Sequence, residues 1–278
     1  MTSLDSGASL EEKPVENKVE QPVYVRHRSM IGAGMVVLFF ILWEAAVHFF
    51  EVSRFVLTPP SKVFEALVDL AQKDYFWEHF RYTVSEILTG FALAIVLGVV
   101  LGVLLGRSRL AEAMFSPFIV ASQVTPKVGL MPLFLLWFGF GIQSKIAMVT
   151  LLSFFPILKA TMLGVSSIEQ IKRDLFQVYR ASTWQRVRHL EIPAVLPYIM
   201  TGIETASVLA VTGAIVGEYL GGSRGLGAFI VTTLSQLQVD RMFATILVLA
   251  VFGFLFYSSI AAIRRRVVSW HESVRLSN

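Results

Sequence analysis

The chain has 278 residues, 55% of them hydrophobic and 16% charged, with a net charge of +4 and no cysteine. Soluble domains carry about 25% charged residues, so the solvent of this chain is largely lipid. The missing cysteines exclude disulfides, thiolate metal sites and thiol nucleophiles, and the scattered His27, His48, His79, His189 and His271 show no metal-ligand spacing.

Met1 to Ser29 is polar and mixed in charge, with Glu11, Glu12, Lys13, Glu16, Lys18 and Glu20. It has neither the apolar stretch nor the cleavage site of a signal peptide and is expected to be a disordered tail (residues 1–29). A spanning helix needs roughly 20 apolar residues, and the first block to qualify covers residues 30–50. The segment 51–83 follows as an outer loop. Past Pro59-Pro60-Ser61, the apolar Val63, Phe64, Leu67, Leu70 and Ala71 recur at helical spacing, which predicts a short amphipathic helix at the membrane surface.

The second block, about residues 87–106, carries Gly98, Gly102 and Gly106 on one helix face, a stripe that lets another helix approach closely. The third, about 113–140, is interrupted by Pro126, Lys127, Gly129 and Pro132. The fourth, about 146–163, contains Pro156 and Lys159; the fifth, about 196–217, contains Glu204; the sixth, about 243–263, stops at Arg264-Arg265-Arg266. Six spans are expected in an all-α membrane protein, with residues 84–267 as the main body and 268–278 as a tail. With both termini inside, most Lys and Arg fall on the cytoplasmic side, including Arg107, Arg109, Lys172, Arg173, Arg186 and Arg188.

Between the fourth and fifth blocks lie about thirty residues too polar to insert. Two amphipathic helices fit, one ending at Val178 and one from a Ser182 N-cap to about Glu191, with Pro193 and Pro197 separating them from the next span. The order Asp174-Leu175-Phe176, three residues, Arg180, nine residues, Leu190-Glu191-Ile192-Pro193 resembles the cytoplasmic loop of binding-protein-dependent ABC importer permeases. Leu175-Phe176 replaces that family's Ala-Ala pair and Arg180 its glycine. Leu57-Thr58-Pro59-Pro60-Ser61, Thr125-Pro126-Lys127-Val128 through Gly139, and Gly213 through Gly227 resemble further segments of its nitrate, sulfonate, taurine and pyrimidine-precursor branch. The run from Leu209 to Ala214 leans toward the pyrimidine-precursor permeases.

The resemblance implies the type I importer permease fold. It implies a coupling loop (Asp174, Leu175, Phe176, Arg180, Ala181, Ser182, Leu190, Ile192, Pro193) seated in a separate ABC ATPase dimer, and a periplasmic or lipid-anchored solute-binding protein at the outer face. It implies an outer gate region at Glu218, Gly222, Arg224, Gly225 and Gly227. No cofactor is expected in this chain, since ATP would be bound by the partner, and no nucleotide-binding motif is visible. A translocation path between subunits calls for two copies, most simply a homodimer.

Lys127, between two helix-breaking prolines, either lines a path for an anionic or polar solute with Gln123 and Thr125 or caps the broken helix through its carbonyls. Lys159 and Glu204, at similar depth, either pair across the fourth and fifth blocks or snorkel separately to the interface. A secondary transporter or channel, or an intramembrane enzyme, would need buried carboxylates, inverted repeats or a Ser/His constellation, and only Glu204 lies deep in a span.

Overall fold

The computed structural model describes residues 28–269; the rest of the two expected tails lies outside the described residues. Every regular element among the described residues is helical. In chain order they are α1 (Arg28–Phe49), α2 (Pro60–Ala71), α3 (Asp74–Gly106), α4 (Arg109–Val124), a 3₁₀ turn (Lys127–Leu130) and α5 (Met131–Phe138). Then follow α6 (Ile142–Ser166), α7 (Gln170–Val178), α8 (Thr183–Gly221), α9 (Leu226–Ser235) and α10 (Val239–Val267).

Helices α3, α6, α8 and α10 are each long and apolar enough to cross a membrane, and α4 with Lys127–Phe138 makes a fifth, bent by 91°. Helix α1 runs for 22 residues, but its portion Gly34–Phe49 is shorter than a span. Among the described residues, up to five spans thus pass by length and composition. The bend in the fifth sits where the sequence places it. Pro126 cannot donate a backbone hydrogen bond, and Thr125 is pushed to an extended conformation (φ −69°, ψ 130°) ahead of it.

The body is organised around α6, which lies between α3 and α8. On α3, Gly98, Gly102 and Gly106 are buried together with Gly90. A Cβ at Gly98 would lie 2.9 Å from Ile157 Cβ, one at Gly102 2.6 Å from Thr161 Cβ, and one at Gly106 2.9 Å from Val165 Cβ. On the opposite flank of α6, Gly202 of α8 faces Ala160 and Gly213 faces the backbone of Val149. Ile87, Phe91, Ala94, Val149, Ile157, Ala206, Ala210 and Ala214 fill the core that results. Small residues on both neighbours thus bring two backbones against one helix, so dispersion replaces the missing hydrophobic drive.

Helix α2 forms as expected, with its apolar stripe packed on the body. Val63, Ala66 and Leu70 are buried against Phe76, Leu226, Phe229, Ala244 and Leu249. Its apolar stripe is satisfied by protein, while Phe64 stays exposed.

One expectation is corrected and one alternative decided. Pro193 and Pro197 do not break the chain, because Thr183–Gly221 is one 39-residue helix. A π turn over Val187–Glu191, in which Ile192 N–H donates to Val187 O, opens the helix just ahead of Pro193. That wider turn leaves room where the proline ring would otherwise strike the carbonyl four residues back. Nor do Lys159 and Glu204 pair. Glu204 Oε2 lies 2.6 Å from Arg264 Nε of α10, and Tyr257 OH donates to Glu204 Oε1 at 2.7 Å. The face of α8 shared with Lys159 carries Thr201 and Thr205 instead, one residue out of phase with Glu204.

The glycine contacts set an expected cost. Gly102→Leu should lower stability by about 1–3 kcal/mol through overpacking against Thr161, read as a drop in thermal midpoint in detergent. Gly34→Leu, at a position with no neighbour within 4 Å, should leave the midpoint unchanged.

Candidate functional site

Three polar constellations lie along the bundle: a cavity at mid-height, the α7 loop at one end and a buried network at the other. The cavity occupies about 560 Å³ where α4, the 3₁₀ turn, α6 and α8 meet. The break after Val124 brings Gln123 and Lys127 to it, α6 adds Phe155 and Lys159, and α8 adds Thr201 and Thr205. Lys127 Nζ stands 5.2 Å from the centre of the Phe155 ring, a cation–π contact. Lys127 does not cap the broken helix. Thr125 is outside the lining; its hydroxyl donates to Ala121 O at 2.9 Å and closes the last turn of α4.

At the loop end, Gln185 N–H donates to Ser182 Oγ and Ser182 N–H to Gln185 Oε1, a capping box that starts α8 where the sequence places it. Arg180 holds φ 49°, and Ala181 N–H donates to Phe176 O at 2.9 Å. This is the left-handed turn that glycine normally supplies at a helix end, kept here by an arginine. Leu190 is buried with Val165, Ile168 and Val195, and Phe176 packs on the same cluster. These two residues of the expected interface therefore hold the loop to the body. Ala181 and Pro193 are half-buried, and Asp174, Leu175, Arg180, Ser182 and Ile192 are exposed.

Pairings that the sequence patterns did not show complete this end. Glu191 pairs with Arg107 at the end of α3 (2.5 Å) and with Arg186 (3.3 Å), while Arg173 Nη2 donates to Val165 O at 3.0 Å. The loop is thereby tied to α3 and α6. Ile171, Leu175 and Val178, at i, i+4 and i+7, leave one stripe of α7 exposed, 72% at Ile171 and 79% at Val178, with Tyr179 and Trp184 exposed nearby. Their spacing was the available signal.

At the far end Glu218 is fully buried. Thr83 Oγ1 donates to Glu218 Oε1 at 2.6 Å, Leu226 N–H donates to Thr83 Oγ1 at 2.8 Å, and Gly227 N–H donates to Glu218 Oε2 at 2.6 Å. Gly225 N–H donates to His79 Nδ1 at 3.0 Å. The otherwise bare N–H groups at the start of α9 are thus received by side chains of α3 and α8. Gly225 sits at φ 101°, and any Cβ there would overlap the Glu218 carboxylate, which fixes glycine at this turn. Lys145, also buried, donates to Phe140 O (2.6 Å), Gly141 O (3.0 Å) and Gly221 O (2.9 Å), clamping the start of α6 onto the end of α8. Glu86 is buried against Glu218. Of the expected gate residues, Glu218, Gly225 and Gly227 meet in this network, with Gly222 at the end of α8. Arg224 lines an adjacent polar cleft of about 700 Å³ with His79, Arg81 and Tyr82.

Residues 80–269 match the family described as binding-protein-dependent transport system inner membrane component. The chain belongs to that family. It is the membrane-spanning permease subunit of an ABC importer. The permease is 34% identical over 232 residues to the formylaminopyrimidine transport permease protein ThiX of Halalkalibacterium halodurans, covering 84% of this chain and 92% of that one. It is 33% identical to the riboflavin transport system permease protein RibX of Chloroflexus aurantiacus, covering 86% and 89%. Its fold is that of the membrane chain in a crystal structure of an amino acid ABC transporter with histidines, at TM-score 0.54 and 14% identity, covering 75% and 95%.

Two substitutions read out these ends. Arg180→Gly removes a left-handed non-glycine residue and should raise the permease's stability by about 1 kcal/mol, measured as a higher thermal midpoint. Glu218→Leu strips acceptors from buried donors at about 1–3 kcal/mol each. It should lower the midpoint and expose the Gly222–Gly225 turn to limited proteolysis.

Proposed function

We propose that α7 and the start of α8 form the surface on which a separate ABC ATPase subunit docks. Two copies of this chain would then enclose the translocation path, with ATP bound and hydrolysed by the partner. The observation that carries this reading is the exposed stripe Ile171, Leu175 and Val178 on an otherwise polar helix bordered by Lys172 and Arg173. An amphipathic helix whose apolar stripe meets no part of its own chain fits a groove on another protein. The Arg173 bond to Val165 O of α6 and the packing of Phe176 on Val165, Leu190 and Val195 let a displacement of α7 act on the body rather than be lost in a flexible hinge.

The same reading sets the orientation. The Arg-rich ends of α3 and α10 share the α7 end, so that end and both termini are cytoplasmic and the Glu218 network is periplasmic. Helix α1 serves as the sixth span, ahead of the outer segment 51–83 and the body 84–267. The cleft beside Arg224 and His79 then faces a solute-binding protein, periplasmic or lipid-anchored, that delivers a small solute to the cavity containing Gln123 and Lys127.

The test is coupling. In proteoliposomes with its partner ATPase and binding protein, Leu175→Asp combined with Val178→Asp should remove ATP-driven uptake. The same variant should lose co-purification of the ATPase while the permease keeps its thermal midpoint. Retained co-purification with unchanged uptake would show that the ATPase docks elsewhere.

A further inference from the structure

We propose that the mid-height cavity binds the anionic group of a small organic solute between the ammonium groups of Lys127 and Lys159. This rests on the reading of that cavity as a wall of the translocation path. The first support is an uncompensated charge. Lys127 and Lys159 line one space with no acidic residue in its lining, and among the described residues neither makes an ion pair or a hydrogen bond. Among the other deeply placed charges, Lys145 is matched by three carbonyls, Glu204 by Arg264 and Tyr257, and Glu218 by Thr83 and Gly227, while the Glu86 carboxyl is buried without a hydrogen-bond partner.

The second support is the kind of face on which the lysines stand. A lysine facing the centre of a bilayer costs about 2.5–3.5 kcal/mol by insertion scales. Here two share a face with Gln123, Thr201 and Thr205, all three exposed in the single chain. Such a face is turned to water inside an assembly rather than to lipid. The remaining lining is apolar, with Phe155 alongside Lys127. A volume of about 560 Å³ lies within the roughly 300–1,000 Å³ of small-molecule sites. Two cations and hydroxyls on one side and apolar side chains on the other suit a carboxylate, sulfonate or phosphate carried on a short organic body. A neutral solute would leave both ammonium groups without a counter-charge at the moment water is displaced.

The cysteine-free sequence allows a direct reading of the local potential. Thr205→Cys is placed in the complete complex with its ATPase in nanodiscs. Alkylthiolation is followed with the anionic sulfonatoethyl and the cationic trimethylammonioethyl methanethiosulfonates, each rate divided by that reagent's rate with 2-mercaptoethanol, and read by mass on this chain. The normalised rate should favour the anionic reagent by about tenfold or more. Lys127→Gln and Lys159→Gln, singly, should each reduce that ratio, and together bring it near one. With the neutral methyl reagent, 1-hexanesulfonate should slow the reaction more than 1-hexanol does.

A ratio near one with both lysines present, a ratio unmoved by the substitutions, or equal protection by sulfonate and alcohol would overturn the anion site. Addition of ATP and vanadate reports separately on the path. If the reaction rate is the same with and without nucleotide while the charge preference holds, the translocation reading fails and the anion site stands. If neither reagent reaches the thiol, both fall.

Discussion

In a bilayer, moving apolar surface from lipid onto a neighbouring helix gains little, so helices must earn their contact through close backbone approach. Helix α6 is the element on which this constraint acts twice. The glycines of α3 close on Ile157, Thr161 and Val165 from one side, and Gly202 and Gly213 of α8 close on Pro156, Ala160 and Val149 from the other. Each glycine admits α6 side chain or backbone at distances a Cβ would crowd. Three helices therefore form a slab running from the α7 loop to the Glu218 network.

Polar locks hold the slab at each end, where close packing alone would let the helices slide. Glu191 joins the loop to the end of α3 through Arg107, and Lys145 joins the start of α6 to the last carbonyl of α8. Thr83 and Glu218 then take the N-terminus of α9 into the same assembly. Between these locks, the bent pair of α4 and α5 leaves a cavity instead of a packed seam. The mechanical consequence is that the α7 end and the far end are joined through helices that cannot easily shear, with the cavity beside them.

The parts of this arrangement legible in the sequence are those encoded locally. The Gly98, Gly102 and Gly106 register, the break at Pro126 and the Ser182 cap all depend on neighbours within a few residues, and each forms as read. Arg180 shows how far such local rules extend: the spacing marks a glycine position, and the left-handed turn survives with arginine in it. The illegible parts are pairings across the fold. Lys145 and Glu86 carry no local signal of their burial, because it depends on helices that the sequence does not place. Glu204 had a basic partner at similar depth in Lys159, yet helical phase gave it to Arg264. Pro193 reads as a break because a π turn compensates for it only when the surrounding helix is present.

The central claim is that α3, α6 and α8 move as one body when the partner ATPase turns over. Pairs of spin labels on introduced cysteines test it most directly, in the complete complex, by electron–electron distance measurement with and without ATP and vanadate. One pair joins the solvent-exposed ends of α6 and α8 within a chain, and the other joins the far ends of α8 in two copies. The account predicts an unchanged distribution for the first pair and a displaced one for the second. A nucleotide-dependent shift between α6 and α8 within one chain would contradict it.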